Sequence, residues 1–139
     1  MKIKKTFGMA ALGLLAMLPL SSIAADSLSA KGSLVCASIH VLACDADNHC
    51  MQGPPSSFEV PYFMFVDFDK KEVRATSDEG NIAISPIKES HVTDQAIILQ
   101  GFENGRGWTL AVGRADGKLS LASAGADIHF AISGNCTEM

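Results

Sequence analysis

The chain has 139 residues, with 11 Lys and Arg side chains against 15 Asp and Glu, and a net charge of −4. This length predicts one domain with a modest core. The acidic balance argues against nucleic acids and anionic membrane surfaces as partners, because both are bound through clustered Lys and Arg.

The N-terminus predicts a cleaved secretory signal peptide over residues 1–25. Three lysines precede an apolar run of about 12 residues, too short for a bilayer core that needs about 20. Small residues follow, ending in Ala24 and Ala25, as a signal peptidase requires. We therefore expect a single mature domain, residues 26–139, that is periplasmic or secreted and free of the membrane after cleavage. It carries 8 basic and 15 acidic side chains.

Four cysteines lie in the mature part, and an even number in an exported chain indicates a disulfide framework. Four cysteines allow three pairings, and the sequence alone does not choose among them. The favoured pairing is Cys44–Cys50, which closes a polar turn, with Cys36–Cys136, which ties the start of the domain to its end.

The first predicted strand covers residues 34–44. Its odd positions are apolar from Val35 to Ala43 and predict the buried face, which would point Cys36 outward. The alternation of residues 128–132 places Cys136 inside instead. The favoured long disulfide therefore needs a β-bulge, for which Gly134-Asn135 is the predicted position.

The rest of the chain predicts a β meander. Residues 53–57 contain two prolines and predict a loop. Further strands are predicted at residues 62–66, 73–76, 82–87, 96–103, 108–114, 118–121 and 128–132, with hairpin turns at Asn104-Gly105 and Asp116-Gly117 and a third connection at Ala124-Gly125. The expected fold is all-β: a small antiparallel up-and-down barrel or sandwich of 7–8 strands, stapled by disulfides.

The even positions of one strand give the clearest prediction of the core. Trp108, Leu110 and Val112 should share one interior face with Leu119 and Leu121 across the following turn. Trp108 also lies beside Arg106 at a hairpin tip. Because an aromatic side chain at a barrel rim is suited to a binding mouth, these two residues are the candidate ligand-binding residues.

The histidines and acidic pairs offer weaker candidates. Cys44, His49 and Cys50 form the alternative set for a copper or zinc ion, but a disulfide would consume both thiolates. His129 is predicted to be exposed on the last strand, and His91 to lie in a loop over residues 88–94. Asp67 and Asp69 lack the EF-hand pattern and are interpreted as hairpin-end charges. We expect no resident metal or other cofactor.

Several short features occur together in the mature chain: Cys36 in the first strand, the Cys44–Cys50 loop, Pro61 before an aromatic strand with Asp67, Gly107-Trp108, and Gly134-Asn135-Cys136. In these features it resembles a group of short exported proteins of Gram-negative bacteria that have no assigned function. The resemblance implies a periplasmic setting and brings no activity. A likeness to lipocalins is limited to the barrel, since their N-terminal Gly-x-Trp signature is missing.

No nucleophile elbow, dinucleotide fingerprint or placed catalytic triad is found in the sequence. The leading hypothesis is an exported, non-enzymatic binding or accessory module, whose partner is either a small apolar ligand inside the barrel or a protein on its surface. The alternatives are a periplasmic copper or zinc protein and a hydrolase whose site no motif identifies.

Overall fold

In the described part of the chain, the fold consists of nine β-strands and one turn of 3₁₀ helix at Pro55–Phe58. The structure is a computed structural model that describes residues 26–77 and 79–139, so the predicted signal peptide lies outside the described residues. The strands are β1 Ser33–Asp45, β2 Cys50–Gly53, β3 Phe63–Asp67, β4 Glu72–Thr76, β5 Ile82–Val92, β6 Ala96–Glu103, β7 Arg106–Gly113, β8 Lys118–Ala124 and β9 Ile128–Glu138.

Eight of these strands close into an antiparallel barrel. Each of β3 to β8 pairs with the next strand along the chain, and β1 pairs with both β3 and β9. The four-residue strand β2 pairs with the second half of β1, beside β3. The predicted all-β, up-and-down barrel is confirmed, and β2 is the strand that the sequence analysis missed.

Both disulfides of the favoured pairing are present, and they account for all four cysteines. Cys36 on β1 lies directly opposite Cys136 on β9, so this bond crosses the seam that closes the barrel. Cys44 and Cys50 lie opposite each other at the end of the β1–β2 hairpin.

The predicted register of the first strand is wrong in its first half. Leu34, Cys36 and Ser38 are buried there, whereas Val41 and Ala43 are buried in the second half. A β-bulge between residues 38 and 40 switches the face, and it leaves Ile39 57% exposed.

The bulge therefore lies on β1, across from Gly134, and not at Gly134-Asn135 as predicted. A side chain at Gly134 would overlap the carbonyl oxygen of Ala37, so glycine lets the two strands approach closely at this point. Because the bulge turns Cys36 inward, it allows the long disulfide to form inside the barrel.

β5 is longer than predicted and includes residues 88–92 of the segment 88–94 expected to be a loop. His91 is consequently a strand residue, although its side chain is exposed. The strand changes partner near its proline: residues 82–86 pair with β4, and residues 87–92 pair with β6. Pro86 is the last residue paired with β4, where a missing N–H is tolerated.

The hairpin predictions are confirmed. Asn104 and Gly105 both have positive φ, 49° and 77°, as a two-residue type I′ turn between β6 and β7 requires. The turn between β7 and β8 contains Asp116, whose carboxylate accepts a hydrogen bond from the backbone N–H of Lys118 at 3.1 Å. This bond and the nearby ammonium of Lys118 lower the pKa of Asp116.

One end of the barrel is filled and covered, and it is called the closed end below. Leu28 packs against the core there, its N–H donates to the carbonyl oxygen of Arg114 at 2.8 Å, and its own carbonyl accepts from Arg114 Nε at 2.8 Å. The fully buried side chains of the core include Leu34, Cys36, Val66, Ile97, Leu99, Leu110 and Val112.

Candidate functional site

A cavity of about 500 Å³ occupies the other end of the barrel and is open to solvent. This opening is called the mouth. Most of the cavity wall is apolar, and every barrel strand from β3 to β9 contributes to it. The apolar lining consists of Phe58, Val60, Pro61, Met64, Val73, Ala75, Ala83, Trp108, Leu110, Leu121, Ile128, Phe130 and Ile132.

Trp108 forms part of this wall because two neighbouring positions accommodate its indole. Gly101, its cross-strand partner on β6, has no side chain, and a Cβ there would overlap the indole ring. The indole therefore lies across β6 and donates its Nε1–H to Ser85 Oγ on β5 at 2.8 Å. This hydrogen bond satisfies the polar atom of a half-buried aromatic side chain and fixes the ring's orientation.

Arg106 lies at the mouth, as the first residue of β7 and two residues before Trp108. Its guanidinium carbon is 5.8 Å from the centroid of the Phe130 ring on β9, a cation–π distance. Arg106 Nη2 is also 4.0 Å from Asp127 Oδ1, although both side chains are substantially exposed. A Cβ at Gly125 would be 3.0 Å from Arg106 Cγ, so glycine there leaves room for the arginine to cross β8.

The remaining polar groups of the cavity lie near the mouth. Glu103 is the cross-strand neighbour of Arg106, and Glu59 follows the 3₁₀ helix with a left-handed backbone, φ 54°. Ser85 and Ser123 add hydroxyl groups to the wall. The site thus combines a large apolar surface with a few polar groups, which is the composition of pockets for small molecules.

Both candidate ligand-binding residues from the sequence, Trp108 and Arg106, line this cavity. The sequence analysis did not single out Phe130, Glu103 or the segment 58–61. The sequence alternation could have identified Phe130 and Glu103, since both occupy positions on the inward-facing row of a predicted strand. The contribution of the segment 58–61 depends on how the chain folds back over β1, which no local pattern encodes.

The alternative metal set does not come together as free ligands. The Cys44–Cys50 disulfide takes both thiolates and leaves His49, which is exposed. Possible ligand atoms of Asp45, Asp47 and His49 lie within 4.8 Å of one another. Asp45 Oδ1 accepts the backbone N–H groups of Asp47 and His49 at 3.0 and 2.9 Å, so this carboxylate organises the loop between β1 and β2.

The other polar candidates lie away from the cavity. His129 is exposed on β9, as predicted. Asp67 ends β3 and accepts the backbone N–H of Lys70 at 2.9 Å, which agrees with its interpretation as a hairpin-end charge. None of these side chains lines the cavity.

Comparison with known proteins adds no family: no protein-family model matches this chain, and no curated protein matches it in sequence. Within residues 26–77 and 79–139, no helix is long and apolar enough to cross a membrane. The two disulfides indicate a chain that folds outside the reducing cytoplasm.

Proposed function

We propose that this protein is an exported, non-enzymatic binding protein that holds a small, largely apolar ligand in its barrel. The observation that carries the proposal is the open cavity of about 500 Å³ with its mainly apolar wall. Ligand pockets commonly measure about 300–1,000 Å³, so the cavity has a suitable size for one small molecule.

The wall favours a small ligand inside the barrel over a protein on its outer surface. A cavity lined by apolar side chains and left to water keeps that surface hydrated, whereas an apolar ligand removes it from water. Each buried CH₂ group of a ligand then contributes about 0.8 kcal/mol. The Trp108–Ser85 hydrogen bond supports the same function, because it holds one wall in place before a ligand arrives.

The setting we propose is the periplasm or the extracellular space. The disulfide that crosses the barrel seam needs an oxidising compartment, and the sequence of residues 1–25 has the pattern of a secretory signal. Mass analysis of the protein from its own host, alkylated without reductant, should give a chain that begins near Asp26 and carries no alkylated cysteine.

Native mass spectrometry of that preparation tests the binding function. We expect a bound mass that is released by organic solvent, and a recovered apo protein that binds a neutral apolar probe such as dodecanol. Trp108 is the only tryptophan of the chain and lines the cavity, so its fluorescence reports occupancy.

Filling the cavity supplies a matched pair of variants. Ala75 lines the cavity, whereas Ala122 is exposed on the outer face of β8. We expect Ala75→Phe to weaken dodecanol binding about tenfold or more, because the added ring occupies ligand volume, and Ala122→Phe to leave it unchanged. Equal affinities for the two variants, or no binding to the unmodified protein, would contradict a ligand site inside the barrel.

A further inference from the structure

We infer that the ligand is a single-chain amphiphile whose anionic head group binds Arg106 at the mouth while its apolar chain lies in the cavity. The inference rests on the proposed function, since it assigns the head group of the ligand in the same cavity. Three observations carry it: the Arg106 guanidinium has hydrogen-bond donors that the protein does not use, the ring of Phe130 lies beneath it, and the cavity wall behind it is apolar.

Arg106 and Arg114 differ in how their N–H groups are used. Arg114 donates to the carbonyl oxygens of Leu28 and Thr93, at 2.8 and 3.0 Å, and so ties the chain together at the closed end. In the described part of the chain, the Arg106 guanidinium donates no hydrogen bond to the protein, and its ion pair with Asp127 is long, 4.0 Å from Nη2 to Oδ1. The donors of Arg106 are therefore available at the mouth.

The guanidinium is also held where a head group would lie. It is 5.8 Å from the centroid of Phe130, and Phe130 lines the cavity. A guanidinium over an aromatic face is partly ordered, and its planar set of donors matches a carboxylate or phosphate through two parallel hydrogen bonds. An anion bound there would lie directly above the apolar wall, which is the arrangement that an amphiphile requires.

Glu103 makes the preferred charge of the head group testable. Its carboxylate is opposite Arg106 across the β6–β7 hairpin, and together with the carboxylates of Glu59 and Asp127 it repels an anionic head group and attracts a cationic one. Glu103 lacks the support that Phe130 gives to Arg106, because its carboxylate accepts a long hydrogen bond, 3.4 Å, from the side-chain amide of the turn residue Asn104. We therefore expect the ordered arginine to determine the preference and the glutamate to reduce the affinity.

The experiment compares three probes with the same chain length: dodecanoate and dodecyltrimethylammonium below their critical micelle concentrations, and dodecanol below its solubility limit. Trp108 fluorescence and calorimetry give their affinities for the unmodified protein. We expect dodecanoate to bind about tenfold more tightly than dodecanol, as one charge-assisted contact would give. Dodecyltrimethylammonium should bind more weakly than either.

Three variants separate the charges. Arg106→Gln should reduce dodecanoate affinity about tenfold and change dodecanol affinity little, whereas Glu103→Gln should strengthen dodecanoate binding. Lys118→Gln removes the same positive charge at the closed end, so it should leave the affinity of all three probes unchanged.

The outcomes distinguish the head-group inference from the function itself. Equal affinities of the three probes, tightest binding of dodecyltrimethylammonium, or a loss of dodecanoate affinity in Lys118→Gln as large as in Arg106→Gln would overturn the inference and keep the cavity as a ligand site. Failure of every probe to bind would overturn both. Glu103→Gln keeps the test decisive if Arg106→Gln does not fold.

Discussion

Replacing Gly101 with alanine should displace the Trp108 indole from its position in the cavity wall. The new Cβ would overlap the indole ring of Trp108 and lie 2.7 Å from the carbonyl oxygen of Pro86. The ring must therefore move away from β6, and its hydrogen bond to Ser85 Oγ, now 2.8 Å, must lengthen or break.

The expected cost can be worked from these contacts. Overpacking in a well-packed site costs about 1–3 kcal/mol, and the lost hydrogen bond costs about 1 kcal/mol. Alanine restricts the unfolded chain more than glycine does and returns about 0.4–1 kcal/mol. The free energy of unfolding should thus fall by about 1–3.6 kcal/mol in Gly101→Ala. Gly107, one residue from Trp108, has nothing within 4 Å of its built Cβ, so Gly107→Ala should be neutral or slightly stabilising.

Equilibrium urea denaturation with the disulfides intact measures both variants against the unmodified protein. The emission of Trp108 supplies a second signal, and it should shift to longer wavelength in Gly101→Ala alone, because the displaced indole meets more water. Equal changes in stability for the two glycines, or unchanged emission in Gly101→Ala, would refute the assigned role of Gly101.

Two further predictions concern the core and the seam. Leu110→Ala should lower the free energy of unfolding by about 2–3 kcal/mol, the lower part of the range for buried leucines, because Leu110 already borders the cavity. Thr109→Ala on the outer face should lower it by less than about 1 kcal/mol. Equal losses for the two variants in denaturation would contradict the register of β7. Joint replacement of Cys36 and Cys136 by alanine should lower the stability by about 4.7 kcal/mol, because this disulfide closes a separation of 100 residues. Joint replacement of Cys44 and Cys50, with a separation of 6, should lower it by only about 2.4 kcal/mol. Thermal unfolding that ranks the two pairs in the opposite order would contradict this estimate.

The parts of the fold that the sequence predicts well are those encoded locally. Asn104-Gly105 specifies a tight turn through its own backbone preferences, so the strands on both sides are found with nearly the observed bounds. The row that contains Trp108, Leu110 and Val112 lies on the inner face because alternation within one strand and its hairpin partner is enough to define a face.

The errors arise where a partner strand decides the outcome. The bulge beside Ile39 depends on how closely β1 approaches Gly134, about 95 residues further along the chain. β5 continues past Pro86 because its pairing passes from β4 to β6 there, and the four residues of β2 are too few to show alternation. The sequence predicts the cavity only in part. Trp108 and Arg106 could be chosen by their side-chain chemistry, whereas the volume of the cavity depends on how the whole barrel closes.

The seam between β1 and β9 also decides how the molecule can be attached to its surroundings. Ser33 and Met139 are hydrogen-bonded through their backbones, and Ser29 donates to the Glu138 carboxylate at 2.6 Å, so the chain enters and leaves the barrel side by side at the closed end. A tether, fusion partner or solid support joined after Met139 would therefore leave the mouth facing away and unobstructed. For an immobilised biosensor, this polarity makes a C-terminal linker after Met139 the natural choice.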